Sequence, residues 1–296
     1  MSLLRVLPFA AASLLTIACG SSSDDPKKST PQAKCDDDAT TGVCVTQVTG
    51  SLMDESGAAV TNAPVSVCGD ICYYGQSDDS GAFEVDVKAH IDLSAYFLLV
   101  HARPEKAGFY YKLPTDAPDT LVDAGSRLVL TLPASGSELS VSGSGAPAQS
   151  ATSGDVTLDV PDGVDVKLDV EDVTAGPIGA EFRVLTVPDD ERDTFVDPSL
   201  NVLALYAVAP FEATFLEKGS KTPAKASLTF TNTTGLAADT PVELLTMGSY
   251  YVDQNLAPGA FGPAATGHVS SDGASITLDP GEGVTYLTWF ALREKK

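Results

Sequence analysis

Positive charge is scarce in this chain: 18 lysines and arginines stand against 40 aspartates and glutamates, a net charge of −22 over 296 residues. A field of that sign repels phosphate backbones and anionic lipid, which argues against nucleic acid as a partner. The acidity is spread along the whole chain and not gathered in a tail, so it reads as a solvated surface. Histidine is rarer still. His90, His101 and His268 are far apart and lack neighbours at metal or triad spacing. There is no G-x-S-x-G elbow to carry a nucleophile, no C-x-x-C pair to hold zinc, and no alternating D-x-D-x-D-G loop to hold calcium. The acidic runs Asp36-Asp37-Asp38, Asp78-Asp79 and Asp189-Asp190 do not replace them, because neighbours on a strand point to opposite faces. These absences predict a protein without catalytic residues, cofactor or metal. No stretch forms a convincing amphipathic helix, and Trp289, the single tryptophan, reads as a core residue in the last strand, on one face with Leu287 and Ala291.

A bilayer-spanning run is missing from the N-terminus too. After Arg5, the apolar stretch Val6 to Ile17 covers about 12 residues, where a membrane helix needs ~20. One positive charge, a short apolar run and a small residue make an export signal. Cys19 follows Thr16-Ile17-Ala18 directly, and Gly20-Ser-Ser-Ser comes next. This arrangement resembles the lipobox of bacterial lipoproteins. The resemblance implies a signal peptide over 1–18 and a Cys19 carrying a diacylglyceryl thioether and an N-acyl chain, with palmitate among the fatty acids. Two or more chains are what stable anchoring takes. Gly20 in the place after the cysteine implies sorting to the outer membrane, facing the periplasm or the cell surface. Residues 19–34 offer no large apolar side chain beyond the cysteine, so they cannot offset their own ordering entropy and are expected to form a disordered tether.

Cysteine usage agrees with export. Cys35, Cys44, Cys68 and Cys72 form an even set suited to an oxidising compartment. They allow three pairings, among which sequence does not choose. The local one, Cys35 with Cys44 and Cys68 with Cys72, is favoured because each pair brackets a short polar loop.

Between 35 and 133 the pattern is β. Gly50, Asp54 and Gly57 close a first strand in an Asp-x-x-Gly turn, and Ala63, Val65 and Val67 alternate as a half-buried strand. Ser77, Asp78, Gly81 and Phe83 mark another turn, after which Phe83, Val85 and Val87 share one face and Glu84, Asp86 and Lys88 the other. Further strands are expected at 96–102, 109–113 and 127–132. This order of features resembles the carboxypeptidase regulatory-like domain, a transthyretin-like β-sandwich. The resemblance implies an accessory module with no catalytic residues of its own.

Residues 134–154 are small, polar and rich in glycine, and are expected to be a linker. From 155 to 296 short strands return. Val156, Leu158 and Val160, then Val166, Leu168 and Val170, alternate on either side of Pro161-Asp-Gly163, which predicts a hairpin. Strands are expected at 182–187, 202–208, 226–230, 242–247, 268–270, 275–278 and 284–291. The segment from Thr234 to Leu244, with His268, Asp272-Gly273, Ile276, Asp279-Pro-Gly281 and Trp289, is distantly similar to ZU5-class surface modules. The chain is therefore expected to be all-β, two antiparallel sandwiches in tandem. Its expected role is a non-enzymatic, lipid-anchored envelope protein, acting as a binding or structural module. Its expected partners are the membrane, through the lipid, and a protein or polysaccharide ligand. One alternative is a carbohydrate- or peptidoglycan-binding accessory lipoprotein, which exposed rings among Tyr73-Tyr74, Phe109-Tyr110-Tyr111 and Tyr250-Tyr251 would favour. Another is an envelope hydrolase, which His101 or His268 meeting a carboxylate and a hydroxyl would favour.

Overall fold

The first strands hang on two matching turns. The structure, a computed structural model, describes residues 35–36, 41–116, 120–141, 147–253 and 255–295; the expected signal peptide, Cys19 and nearly all of the tether lie outside them. Asp54 Oδ1 accepts from the Ser56 and Ala58 amides and the Ser56 hydroxyl, and Asp78 Oδ1 accepts from the same set at Ser80 and Ala82. The serine hydroxyl bonds and the amides favour the ionised form, holding both carboxyls below their usual range. Gly57 and Gly81 take the left-handed position each turn needs, both at φ +79°. At Gly81 a Cβ would also lie 2.4 Å from the Leu52 carbonyl.

These turns join β1 (Val43–Met53), β2 (Pro64–Cys68), β3 (Cys72–Gln76) and β4 (Ala82–Ile91), followed by β5 (Phe97–Val100), β6 (Phe109–Lys112) and β7 (Leu121–Leu128). Two sheets result, in the orders β4-β1-β7 and β3-β2-β5-β6. Phe83, Val85 and Val87 are buried and Glu84, Asp86 and Lys88 exposed, as the alternation requires. Two details differ from expectation. β7 opens at Leu121 instead of Arg127, and it pairs with β1 in parallel, so this sheet is mixed.

The second sandwich contains β8 (Ser137–Glu138), β9 (Gln149–Ser153), β10 (Val156–Val160), β11 (Val164–Lys167), β12 (Glu181–Thr186), β13 (Ala204–Ala209), β14 (Thr214–Glu217), β15 (Ser227–Thr231), β16 (Pro241–Met247), β17 (Phe261–Val269), β18 (Ser275–Leu278) and β19 (Phe290–Glu294). Among the described residues one ten-stranded sheet runs β8-β12-β13-β19-β16-β17-β18-β15-β10-β9, with a β11–β14 ribbon beside it. The large sheet curls until its ends meet. The Val184 amide donates to Ser153 Oγ at 2.9 Å, and the Ser137 hydroxyl donates to the Thr152 carbonyl at 2.6 Å.

Strands β8 and β9 fall inside the segment expected to be a linker. The inward residues of β9 are Ala151 and Ser153, too small to register as apolar alternation. The hairpin expected across Pro161-Asp-Gly163 does not form. Both edges of β10 are taken, by β9 and β15, so at Gly163 the chain leaves the sheet and β11 pairs with β14. Val170 correspondingly leaves the core: Asp169 accepts from the Glu171 amide and caps a short helix, α1 (Val170–Thr174), which leaves Val170 exposed. Helix α2 (Arg192–Phe195) is shorter still, and no helix among the described residues is long and apolar enough to cross a membrane.

Both sandwiches belong to one compact unit because β13 and its neighbours are buried on two faces. Ala204, Tyr206 and Val208 point into the second sandwich, while Leu205, Ala207 and Ala209 point at the first. Alternation along β16 likewise sends Leu244 into the second core and Leu245 into the first, while opposite this step β17 carries an extra residue, Ala264. Trp289 and Ala291 face the first sandwich, whereas Leu287 faces the second. The expected common face is lost because regular strand begins only at Phe290. Buried Arg183 ties the halves together by donating to the carbonyl of Pro104 at 2.8 Å.

Candidate functional site

Two of the sites expected from sequence are covalent. Cys35 is bonded to Cys44 and Cys68 to Cys72, the local pairing. The first bridge lies beside His90, and because both sulfurs are spent on each other this trio offers no thiolate to a metal. Asp78 is engaged in its turn, and Asp189 pairs with Arg192.

The other two histidines each meet a carboxylate and a hydroxyl, in different orders. His268 Nδ1 lies 3.0 Å from Asp279 Oδ1, but the hydroxyl, from Thr266, donates to the other Asp279 oxygen and leaves the imidazole with no nucleophile. At His101 the order is that of a relay: Ser66 Oγ is 3.0 Å from Nε2, and Glu171 Oε1 is 2.8 Å from Nδ1. Ser66, however, sits mid-strand on β2, between β3 and β5, with no exposed surface. A nucleophile has to reach a carbonyl carbon, and this one is sealed.

His101 belongs to a larger polar cluster where the β5–β6 loop of the first sandwich meets α1 of the second. Its centre is Arg103, whose side chain is only 3% exposed. Its guanidinium donates to Asp172 Oδ2 at 3.1 Å and the Phe211 carbonyl at 2.9 Å, and it pairs with Glu171 at 2.7 Å and Asp169 at 3.6 Å. Burial pushes the Asp172 carboxyl up to about 6, against the pull of Arg103. Burial also works to raise Glu171, but the His101 hydrogen bond and the Arg103 charge outweigh it and hold that carboxyl low. Next to this group, Glu212 is buried at φ +65°, a conformation a residue with a Cβ keeps only when its surroundings fix it. The Tyr110 and Ser249 hydroxyls both donate to its Oε1. Burial raises Glu212 too, and it raises Tyr110 with help from the Glu212 charge.

From Tyr110 a file of rings leads outward. Phe97 stands 5.0 Å from Tyr110, Tyr250 is 5.3 Å from Phe97, and Tyr251 is 5.0 Å from Tyr250. Tyr250 is pinned by its hydroxyl, which donates to the Gly69 carbonyl at 2.8 Å. At the surface Tyr251 is 48% exposed and Tyr74 71%. The two lie within electrostatic range of each other, and Tyr251 also feels Glu212 and Asp169; partial burial first, then these neighbours, push its hydroxyl up to about 12. Of the three aromatic runs, Tyr73-Tyr74 and Tyr250-Tyr251 thus present one ring each, whereas Phe109, Tyr110 and Tyr111 are all buried. The sequence picked out the tyrosines but missed Arg103 and its acids. The available signal was Asp169, Glu171 and Asp172 within four positions at the start of a helix.

No family model matches the chain, and no curated protein matches it. Among solved structures it is similar to a protein from Bacteroides uniformis provisionally described as carbohydrate binding, at 8% identity and a TM-score of 0.19, over 86% of this chain and 80% of that one. A likeness of that size constrains neither topology nor ligand. The chain is a β-rich protein with two disulfides, a buried arginine–carboxylate cluster and a pair of exposed tyrosines above it.

Proposed function

We propose that this protein is a lipid-anchored component of the bacterial envelope that binds and does not catalyse, and that it holds a neutral polysaccharide through Tyr74 and Tyr251. The observation that carries the ligand is the exposed Tyr251 ring, backed by a fixed aromatic file, with the exposed Tyr74 in electrostatic range of it. Flat rings with little freedom to lose stack on the C–H faces of sugars at small entropic cost. The accessible charge within electrostatic range of Tyr251 is Asp169, a part-exposed carboxylate, which accepts from sugar hydroxyls and repels acidic sugars. The sealed Ser66 favours binding over hydrolysis. The two Asp-x-Ser-Gly turns support the carboxypeptidase regulatory-like reading of the first sandwich, and the second is read as a ZU5-like surface module. Cys19 supplies the anchor in the outer membrane.

Two measurements test this. Passing the fragment from residue 35 onward over cell-wall and capsule material should retain it. The Tyr74→Ala/Tyr251→Ala double variant should bind about tenfold or more weakly with its unfolding midpoint unchanged, since both rings are exposed. Retention on no polysaccharide sinks the ligand assignment. Separately, Cys19→Ser should move the protein into the soluble fraction and abolish incorporation of labelled palmitate. Continued membrane association would show that the anchor lies elsewhere.

A further inference from the structure

A cavity of about 410 Å³ opens between β6, α2 with the turn after it, and the start of β17. That volume is within the ~300–1,000 Å³ usual for small-molecule sites. We propose that it binds a small polyhydroxylated monocarboxylate of sugar-acid type, with Arg127 taking the carboxylate.

Arg127 is the reason for the charge. Among the described residues Arg103, Arg192 and Arg293 each meet a carboxylate, and buried Arg183 donates to backbone carbonyls. Arg127 has no carboxylate at ion-pair distance among the described residues. It lies over the Tyr111 ring at 5.3 Å and donates from Nη2 to the Lys112 carbonyl at 3.3 Å, while its buried Nε meets no acceptor among the described residues. Burial destabilises its charge, and Tyr111 and the more distant Asp123 only partly offset this. In a chain so rich in acid, a half-buried arginine without an acidic partner at a cavity wall marks where an anion is missing. The guanidinium fork matches a carboxylate in two parallel bonds. Lys112 adds a second cation on the same wall.

The opposite wall gives the hydroxyls. Asp193 and Asp197 line it; Asp197 is held by the amide and hydroxyl of Ser199 and lies within electrostatic range of Lys112, which leaves Asp193 as the carboxylate best placed to accept. Carboxylates there suit the O–H groups of a ligand whose own charge is turned toward Arg127. Tyr111 and Phe195, with ring centroids 6.4 Å apart, provide apolar surface for the C–H face between the two walls. The −22 field of the chain limits the ligand to a single negative charge, because a polyanion would be repelled before it reached the cavity. Neither Tyr74 nor Tyr251 lines this cavity, so the site stands apart from the polysaccharide surface.

The test is titration of the full chain with glucuronate, glucose and polygalacturonate, read by calorimetry and by the emission of Trp289. That residue is the only tryptophan and lies tilted against Phe195, with ring centroids 4.7 Å apart. Glucuronate should bind and shift the emission, with glucose weaker by about tenfold or more, the value of a charge-assisted bidentate contact. Arg127→Gln should lose that same factor, and Arg127→Lys, which keeps charge without the fork, should fall between. The Tyr74→Ala/Tyr251→Ala variant should bind glucuronate as the wild type does, which separates failure here from failure of the polysaccharide reading. Absence of glucuronate binding, equal binding of glucose, or wild-type affinity in Arg127→Gln would overturn the proposal. Polygalacturonate binding more tightly than glucuronate would overturn the limit to a single charge.

Discussion

Arg103→Met should lower the unfolding free energy by about 3–5 kcal/mol, the range for removing one partner of a buried ion pair. Methionine keeps much of the stem that packs near Phe211, over whose ring the guanidinium now lies at 5.4 Å, so the loss falls mainly on charge. What remains is Asp172, 1% exposed, together with Glu171 and Asp169, with Arg183 still within electrostatic range of Asp172. The deficit should depend on pH in a definite direction. In the wild type the folded-state value of Asp172, about 6, is above the ordinary aspartate value. Between those two values the native state binds the proton more tightly, so this contribution to stability falls as pH rises through the window. Glu171 runs the other way, because its folded value is depressed and its contribution fades as pH drops through the usual carboxylate range. Without Arg103, Asp172 should hold its proton still more firmly, and protonation relieves the buried charge. Urea unfolding should therefore show a larger gap between variant and wild type at pH 7.5 than at pH 5. A loss below about 1 kcal/mol, the size of an exposed pair, would mean the cluster is solvated and not structural.

The sequence foretold the first sandwich better than the second, for a physical reason. Strands such as β4 face the core on one side and water on the other, so Phe83, Val85 and Val87 alternate visibly with Glu84, Asp86 and Lys88. β13 has no wet face. Its run Ala204-Leu-Tyr-Ala-Val-Ala209 shows a buried strand but not which two cores it divides. β9 is the opposite case, small and polar because it closes a curled sheet where there is little room. Pairing is also a property of occupied edges: Val156–Val160 and Val164–Lys167 look like a hairpin until β9 and β15 are found on either side of the first. The site divides in the same way. Tyrosine runs are local and legible, whereas Arg103 and Asp172 are 69 positions apart and meet only because two sandwiches are pressed together.

How firmly they are pressed together is set at Trp289. Trp289→Ala should cost about 3–5 kcal/mol from lost burial and the cavity left behind. The ring is fully buried, with Phe109 and Phe195 each at 4.7 Å, so the void opens between the two sandwiches, where neither can close it alone. A second loss adds to this. The indole N–H donates to the Gly108 carbonyl at 2.7 Å, and an acceptor left buried without a donor costs about 1–3 kcal/mol. Trp289→Phe separates the two, since it fills most of the space but cannot donate, and should lose roughly the hydrogen-bond share. Far-UV circular dichroism is the suitable signal, because the substitution removes the only tryptophan fluorophore. In the wild type a shared core predicts one cooperative transition. The alanine variant should unfold at lower urea, and if the interface fails first its curve should broaden or split. An unchanged midpoint would show that the sandwiches are stable independently and that the aromatic contact between them contributes nothing to folding.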